Sequence, residues 1–232
     1  MWKRPDARLL SAVPFVRPCA AVADIGTDHA YLPIFLIREG IASRALACDI
    51  GKGPLSRAKE HIAAAGFSDR IGTLLTDGLH GVESFCPDHI LIFGMGGELI
   101  AKILSEAPWI RSPSVRLILQ PMSRAQCLRA FLWETGFGTV GESLTEADGR
   151  IYQTVCAAWS GESTPFSAAD ALVGKPEFHR ASPLCPALLA RDISILRDVL
   201  RGKSLAKQTD LSADEELLHD LESRLREIGG TA

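Results

Sequence analysis

Cysteine chemistry is the first thing this chain is short of. Its six cysteines, Cys19, Cys48, Cys86, Cys127, Cys156 and Cys185, stand singly with no C-x-x-C pair, and no histidine lies at metal-ligand spacing from any of them. Neither a disulfide framework nor a metal site is expected. Long apolar runs are missing too: no window reaches the ~18 apolar residues of a membrane span, and Met-Trp-Lys-Arg-Pro-Asp leads into only a short apolar stretch. A cytoplasmic protein with no membrane partner is expected. No internal repeat is present, and a net charge of −3 excludes a uniformly basic nucleic-acid binder. With 47% apolar and 23% charged residues the composition excludes disorder and fibrous architectures.

Charge is nevertheless uneven. Residues 1–19 carry Lys3, Arg4, Arg8 and Arg17 against Asp6, a local +3; residues 175–207 carry +4, and 208–232 carry −5. Such stretches are either solvated helix faces or a phosphate-binding surface, and pattern alone does not separate the two.

A length of 232 residues suits one well-buried α/β core plus a small appendage. From Ala20 to Trp159 short apolar runs alternate with amphipathic stretches, the rhythm of a parallel sheet covered by helices on both faces. The pattern predicts strands over 20–25, 44–49, 71–76, 89–93 and 115–120, and helices near 30–39, 54–65, 97–106 and 123–135. Gly40, Gly66 and Gly136 fall where helix C-termini need a residue tolerant of positive φ. After Gly136 the pattern changes to two extended runs, 139–144 and 151–159, joined by the turn signal Ala147-Asp148-Gly149-Arg150. Five wound strands closed by an antiparallel hairpin make a Rossmann-like sheet of seven strands, unlike a dinucleotide dehydrogenase, which continues with another β-α unit.

Residues 1–161 are therefore expected to form the sheet domain, and 162–232 a linker and a C-terminal helical hairpin. Leu189, Ile193, Leu196 and Leu200 are spaced as one helical seam, and Leu218, Leu221, Leu225 and Ile228 as its partner, with a coiled-coil-like contact between them. Ser212 followed by Glu215 reads as a capping box opening the second helix.

The chemistry-bearing residues cluster at predicted strand ends. Asp24, Gly26, Thr27, Asp28 and His29 end the first strand and open a helix, where backbone amides favour ligand oxygens. Asp28 occupies the second glycine position of a G-x-G-x-G loop, so a pyrophosphate would meet a carboxylate there. The methionine end of S-adenosylmethionine, with its amino group and sulfonium, would instead be favoured; helix capping by Asp28 is an equal and compatible role. Asp49, with Ile50 beside it, ends the second strand, where an acid accepts ribose hydroxyls. Asp77-Gly78-Leu79 follows the third strand, with an acid for an adenine amino group and a glycine that lets the backbone approach the ring. Gly94-Met95-Gly96-Gly97 follows the fourth strand as a glycine-rich turn that would also floor a transfer pocket. Gln120 ends the fifth strand, to bond a base edge or to satisfy backbone groups.

Taken together, Ala23-Asp-Ile-Gly-Thr-Asp-His-Ala-Tyr-Leu-Pro33, Asp49-x-x-x-Gly-Pro-Leu55, Asp77-Gly-Leu79, Gly94-Met-Gly-Gly97 and Leu117-Ile-Leu-Gln-Pro121 resemble, in this order, the bacterial tRNA (adenine-N1)-methyltransferases of the TrmK family. That family modifies adenine 22 of tRNA. The likeness runs from about residue 7 to 159 and, more loosely, into the C-terminal helices. It implies the class I methyltransferase fold, S-adenosylmethionine as cofactor and tRNA as partner; the sequence does not settle the oligomeric state, with a monomer as the favoured expectation. It also implies that Asp24, Gly26, Thr27, Asp28, His29, Asp49, Ile50, Asp77, Gly78, Leu79, Gly94, Met95 and Gly96 surround the cofactor, and that Asp28, His29, Tyr31 and Gln120 lie near the transferred methyl and the base. Met122 departs from the pattern, since many members have Asn after the Gln-Pro pair, and the last helix is more acidic than the family's usual arm.

Adenine N1 already carries a lone pair, so such an enzyme has chiefly to hold it in line at about 3 to 3.5 Å from the methyl. The ring becomes cationic, which makes Asp28, then His29, candidates for stabilising it. Tyr31 is either a stacking platform for an extruded base or a core side chain. A methyltransferase for another RNA nitrogen or a small molecule is the alternative, and a non-catalytic RNA-binding protein that keeps the fold is a third.

Overall fold

Apolar runs too short for helices and bounded by glycine or aspartate can bury both faces only inside a parallel sheet. In a computed structural model, which describes residues 3–18, 20–206 and 210–229, they do so. The sequence features at Met1, Trp2, Cys19 and Lys207 lie outside the described residues. After a short helix α1 (Ala7–Leu10) the chain runs through β1 (Ala20–Ile25), α2 (Tyr31–Arg38), β2 (Ala42–Asp49), α3 (Lys52–Ala65) and β3 (Ile71–Leu75). It continues through β4 (His89–Met95), α4 (Gly97–Ser105), β5 (Arg116–Pro121) and α5 (Ala125–Glu134) to the hairpin β6 (Phe137–Ala147) and β7 (Arg150–Trp159). The seven strands are ordered β3-β2-β1-β4-β5-β7-β6, parallel from β1 to β5, with β7 antiparallel to both β5 and β6.

Strand alternation splits the core in two. Leu91, Phe93 and Ile118 point to the face covered by α2 and α3, whereas Ile90, Ile92, Leu117 and Leu119 point to the face covered by α4 and α5. Each of these buried aliphatic side chains contributes about 1.5–3 kcal/mol, and Leu119→Ala would cost about 2–5 kcal/mol because its surroundings are already close-packed.

Local signals fix the corners. Gly40, Gly66 and Gly136 have φ of 68°, 78° and 91° just past three helices, and the hairpin turns on Asp148 and Gly149 at φ 49° and 69°, the primed geometry that matches strand twist.

The C-terminal helices are α6 (Ala168–Val173), α7 (Pro176–His179), α8 (Cys185–Leu205) and α9 (Ser212–Glu227). Leu189, Ile193, Leu196, Leu221 and Leu225 form a third core there, with Leu200, Leu218 and Ile228 packed against it. Leu144 and Ile151 of the hairpin join it, so the sheet and the helices share apolar surface. The capping box expected at Ser212 is not formed. Leu211 is the N-cap without a side-chain bond, and the Ser212 hydroxyl and amide donate to Asp210 instead, at 2.7 and 3.3 Å. The nearby Asp210 carboxylate outcompetes the helix's own amides for that hydroxyl. A complete capping box occurs at Ser167 and Asp170, opening α6.

Candidate active site

The C-terminal ends of β1, β2 and β4 are in register, with Asp24 beside Ala47 and Leu91, so the loops that leave them open onto one edge of the sheet. There they enclose a cavity of about 500 Å³ lined by Asp24, Gly26, Thr27, Asp28, His29, Tyr31, Asp49, Phe93, Gly94 and Met95.

The floor is built by the chain reversal after β1. The Gly26 and Thr27 amides both donate to the Cys48 carbonyl at 2.9 Å, which demands φ of 80° at Gly26. A Cβ there would also meet the Met95 methyl at 2.4 Å, a contact that flexible side chain can relieve, so it is the positive φ that calls for glycine. Asp24 is 8% exposed, and burial pushes its carboxyl up to about 6. The Thr27 hydrogen bond and the Arg8 charge oppose that rise, while the Asp49 charge reinforces it. A cation entering the cavity would lower the cost of ionising Asp24 here.

Asp28 sits at the rim, where Arg57 Nη2 of α3 donates to its Oδ1 at 2.5 Å and His29 Nε2 lies 3.1 Å from its Oδ2. It does not cap α2: the N-cap is Ala30, in the left-handed region at φ 54°, with no side-chain cap. A non-glycine residue held there stores backbone strain of order 1–3 kcal/mol, and it aims the next side chains into the site. The His29, Tyr31 and His61 rings stack on one another, with centroids 5.0, 5.1 and 5.4 Å apart and interplanar angles of 17°, 24° and 18°. Tyr31 thus belongs to a partly exposed aromatic stack at the mouth and not to the core. Asp49 spends Oδ1 on the Gly51 amide at 2.6 Å, leaving Oδ2 for a ligand.

The glycines of the 94–97 loop serve close packing. Gly97 donates to the Ser123 carbonyl at 2.8 Å, and a Cβ on it would lie 2.2 Å from the Arg124 carbonyl oxygen. Gly94 and Met95 line the cavity whereas Gly96 faces Ser123. Gln120 is fully buried outside the cavity lining, its Nε2 donating to the Arg8 carbonyl, Ser11 Oγ and Thr154 Oγ1 at 3.0, 2.9 and 2.9 Å. It satisfies internal groups, the second of its two sequence-level roles. Asp77 and Gly78 stand outside the lining as well, although the Thr76 amide bonds the Asp49 carbonyl at 3.0 Å and holds this turn next to β2. Leu79 is core, and Ile50 is 70% exposed beyond Asp49.

Four residues that local pattern missed complete the site. Arg57 and His61 enter from α3, three and seven residues past its Pro54, and Asp6 and Arg8 from the N-terminal segment. The only sequence signal for Arg8 was the basic balance of residues 1–19. Two buried polar atoms of the lining, Arg8 Nη1 and His29 Nδ1, have no hydrogen-bond partner. Four carboxylates, an unpartnered guanidinium nitrogen, an unpartnered imidazole nitrogen and an aromatic stack fit a polar ligand that carries both a cation and hydroxyl groups.

A family model described as a methyltransferase domain matches residues 6–155. The tRNA (adenine(22)-N(1))-methyltransferase of Bacillus subtilis is 36% identical over 150 residues, which cover 65% of this chain and 63% of that protein. The chain thus spans just under two thirds of that curated relative's length in the match. Among solved structures, a Streptococcus pneumoniae putative tRNA (m1A22) methyltransferase in complex with S-adenosyl-L-methionine is 31% identical, with a TM-score of 0.80 over 96% of this chain and 98% of that one. The Bacillus subtilis M1A22 tRNA methyltransferase TrmK is 28% identical, with a TM-score of 0.79 over 99% and 98%.

Proposed function

The chain belongs to the methyltransferase-domain family, and from that premise we propose that it methylates N1 of an adenine in tRNA, the adenine at position 22, using S-adenosylmethionine. The observation that carries this reading is the acidic cavity of Asp24, Asp28 and Asp49 opening beside the stacked His29, Tyr31 and His61 rings.

When bound, S-adenosylmethionine supplies the electrophilic methyl group. Asp49 holds the ribose through its free Oδ2, with Ile50 beyond it and Asp77 alongside extending the site toward the adenine end. Asp24 and the Gly26-Thr27 turn take the cationic methionine end. Gly94, Met95 and Phe93 form the wall on the β4 side. The target base enters from the mouth, where the Tyr31 ring, packed beside the His29 and His61 rings, offers a face for stacking. N1 needs no base to become nucleophilic, so positioning supplies most of the acceleration. As the ring acquires positive charge, the Asp28 carboxylate stands at the rim to stabilise it, held in place by Arg57.

The test is nucleoside mass spectrometry of unmodified tRNA transcripts after incubation with protein and cofactor. The expected product is 1-methyladenosine, lost when adenine 22 is replaced by guanine. A methyl group on a different nucleoside, or none at all, overturns the assignment.

A further inference from the structure

Helix α3 buries Leu55, Ala58 and Ile62 against the sheet, and its packing needs nothing from Arg57 or His61. These two residues stand one helical turn apart, so they share a face. That face is turned toward residues 28–31: Arg57 donates to Asp28 Oδ1, and His61 Nδ1 lies 3.2 Å from the His29 carbonyl oxygen. A carbonyl only accepts, so this contact keeps the proton of a neutral His61 on Nδ1.

The segment they meet is weakly held by its own residues. Ala30 sits in the left-handed region at φ 54° with no side-chain cap, a conformation that persists only where the surroundings impose it. Tyr31 follows at once, so the direction of its ring depends on that turn. The half-buried His61 ring packs against both His29 and Tyr31, with centroids 5.1 and 5.4 Å away and planes within 24° and 18° of theirs. His29 and Tyr31 line the cavity, whereas His61 stands outside the lining and reaches the site through them.

We propose that His61 is a positioning residue for methyl transfer: through its ring contact with Tyr31 and its bond to the His29 carbonyl, it fixes the face on which the target adenine stacks. The inference rests on the reading that adenine N1 is the acceptor and that Tyr31 receives the base. A stacked base inherits the tilt of the ring beneath it, and a misplacement of about 1 Å in the reacting atoms costs on the order of 10²-fold in rate. A Tyr31 ring freed on one side would have to be ordered again by each incoming base. Direct contact of His61 with RNA is the competing role for a half-buried imidazole near the mouth.

Single-turnover methylation of a tRNA transcript at saturating cofactor and tRNA separates the two, using wild type, His61→Ala, His61→Phe, Tyr31→Ala and the Tyr31→Ala/His61→Ala double variant. His61→Ala is expected to slow transfer about ten- to thirtyfold while changing cofactor affinity less than about twofold, and His61→Phe, which keeps a ring, to stay within about threefold of wild type. In the Tyr31→Ala background, loss of His61 should cost less than about twofold more, because the ring it positions is gone. A full penalty in that background overturns the proposal, as does a raised KM for tRNA with an unchanged rate. The chain has two tyrosines, Tyr31 and Tyr152, so fluorotyrosine-labelled protein gives two fluorine NMR lines, with that of Tyr31 identified by its loss in Tyr31→Phe. The Tyr31 line should shift in His61→Ala. If the wild type methylates no tRNA, the functional reading fails and the proposal with it; methylation by wild type with an unmoved Tyr31 line in His61→Ala overturns the proposal alone.

Discussion

Arg129 and Glu142 form a bidentate ion pair with no solvent exposure of either side chain, Nε to Oε1 at 3.0 Å and Nη2 to Oε2 at 2.5 Å. The pair couples the sheet to the helices beyond residue 162. Arg129 Nη1 donates to the Ala171 and Leu172 carbonyls, its Nη2 to Gln153 Oε1, and His179 Nε2 lies 2.7 Å from Glu142 Oε2. Gly174, at φ 84°, closes over this network, and a Cβ there would lie 2.5 Å from His179 Nε2 and 2.6 Å from Glu142 Oε2. The loop around residue 162 divides the sequence, but buried polar bonds cross that division.

Breaking one side of the pair leaves the other as a buried, uncompensated charge. Arg129→Met is expected to destabilise the protein by about 3–5 kcal/mol, measured by urea unfolding at pH 7.5. Removing residues 162–232 takes away His179 and both carbonyls together and is expected to lower Tm sharply. Burial alone would raise the Glu142 carboxyl, but Arg129, with His179 adding to it, overrides burial and holds it at about 2, below its ordinary 4.5. A depressed acid stabilises above its unfolded pKa, so this contribution is complete above pH 4.5 and is lost as pH falls toward 2. A Glu142→Gln variant whose acid unfolding profile matches wild type would refute the coupling.

Asp24 has the opposite sign. Its folded pKa of about 6 lies above the ordinary 3.8, so the folded state binds more protons than the unfolded between those values. Without ligand, stability should fall as pH rises from about 4 to 6, and Asp24→Asn should be more stable at pH 7.5, by up to ~3 kcal/mol. Cofactor affinity of the wild type should climb over the same range and level off above pH 7, whereas the variant should bind weakly with no such climb. Equal unfolding free energies for the two proteins at pH 7.5 would contradict the burial cost assigned to Asp24.

Loss of the ribose contacts in Asp49→Ala should weaken cofactor binding by about 1.5–3 kcal/mol by calorimetry. Because Oδ1 also holds the Gly51 amide, Asp49→Asn provides the control: it can keep that loop bond yet presents one oxygen in place of two. If Asp49→Asn binds like wild type, the weakening comes from the loop and not from the ribose.

For Asp28 the informative measurement is the single-turnover rate at saturating cofactor. Asp28→Asn keeps size but removes the charge, and the methyl-transfer step should slow on the order of 10². If saturation restores the wild-type rate, Asp28 is a binding residue only. Arg57→Ala, which frees the carboxylate from its partner, should give a smaller loss in the same rate.

Local sequence determined a good deal of this protein. The apolar runs 20–25 and 89–93, the glycines at 40, 66 and 136, and Asp148-Gly149 each act over a few residues, so period and turn chemistry marked the elements and the closing hairpin. Because strand ends carry loops, the same reading marked Asp24, Gly26, Asp28 and Asp49 as one site. What only the tertiary structure decided are the pairings between distant residues. Arg8 meets Gln120 across 112 positions, Arg57 meets Asp28 across 29, and Arg129 meets Glu142 and then His179 through the folding of hairpin and helices. Single charged or amide residues carry no periodicity, and their partners are chosen by which desolvated groups the packed core leaves unsatisfied. That choice exists only once the backbone has closed around them.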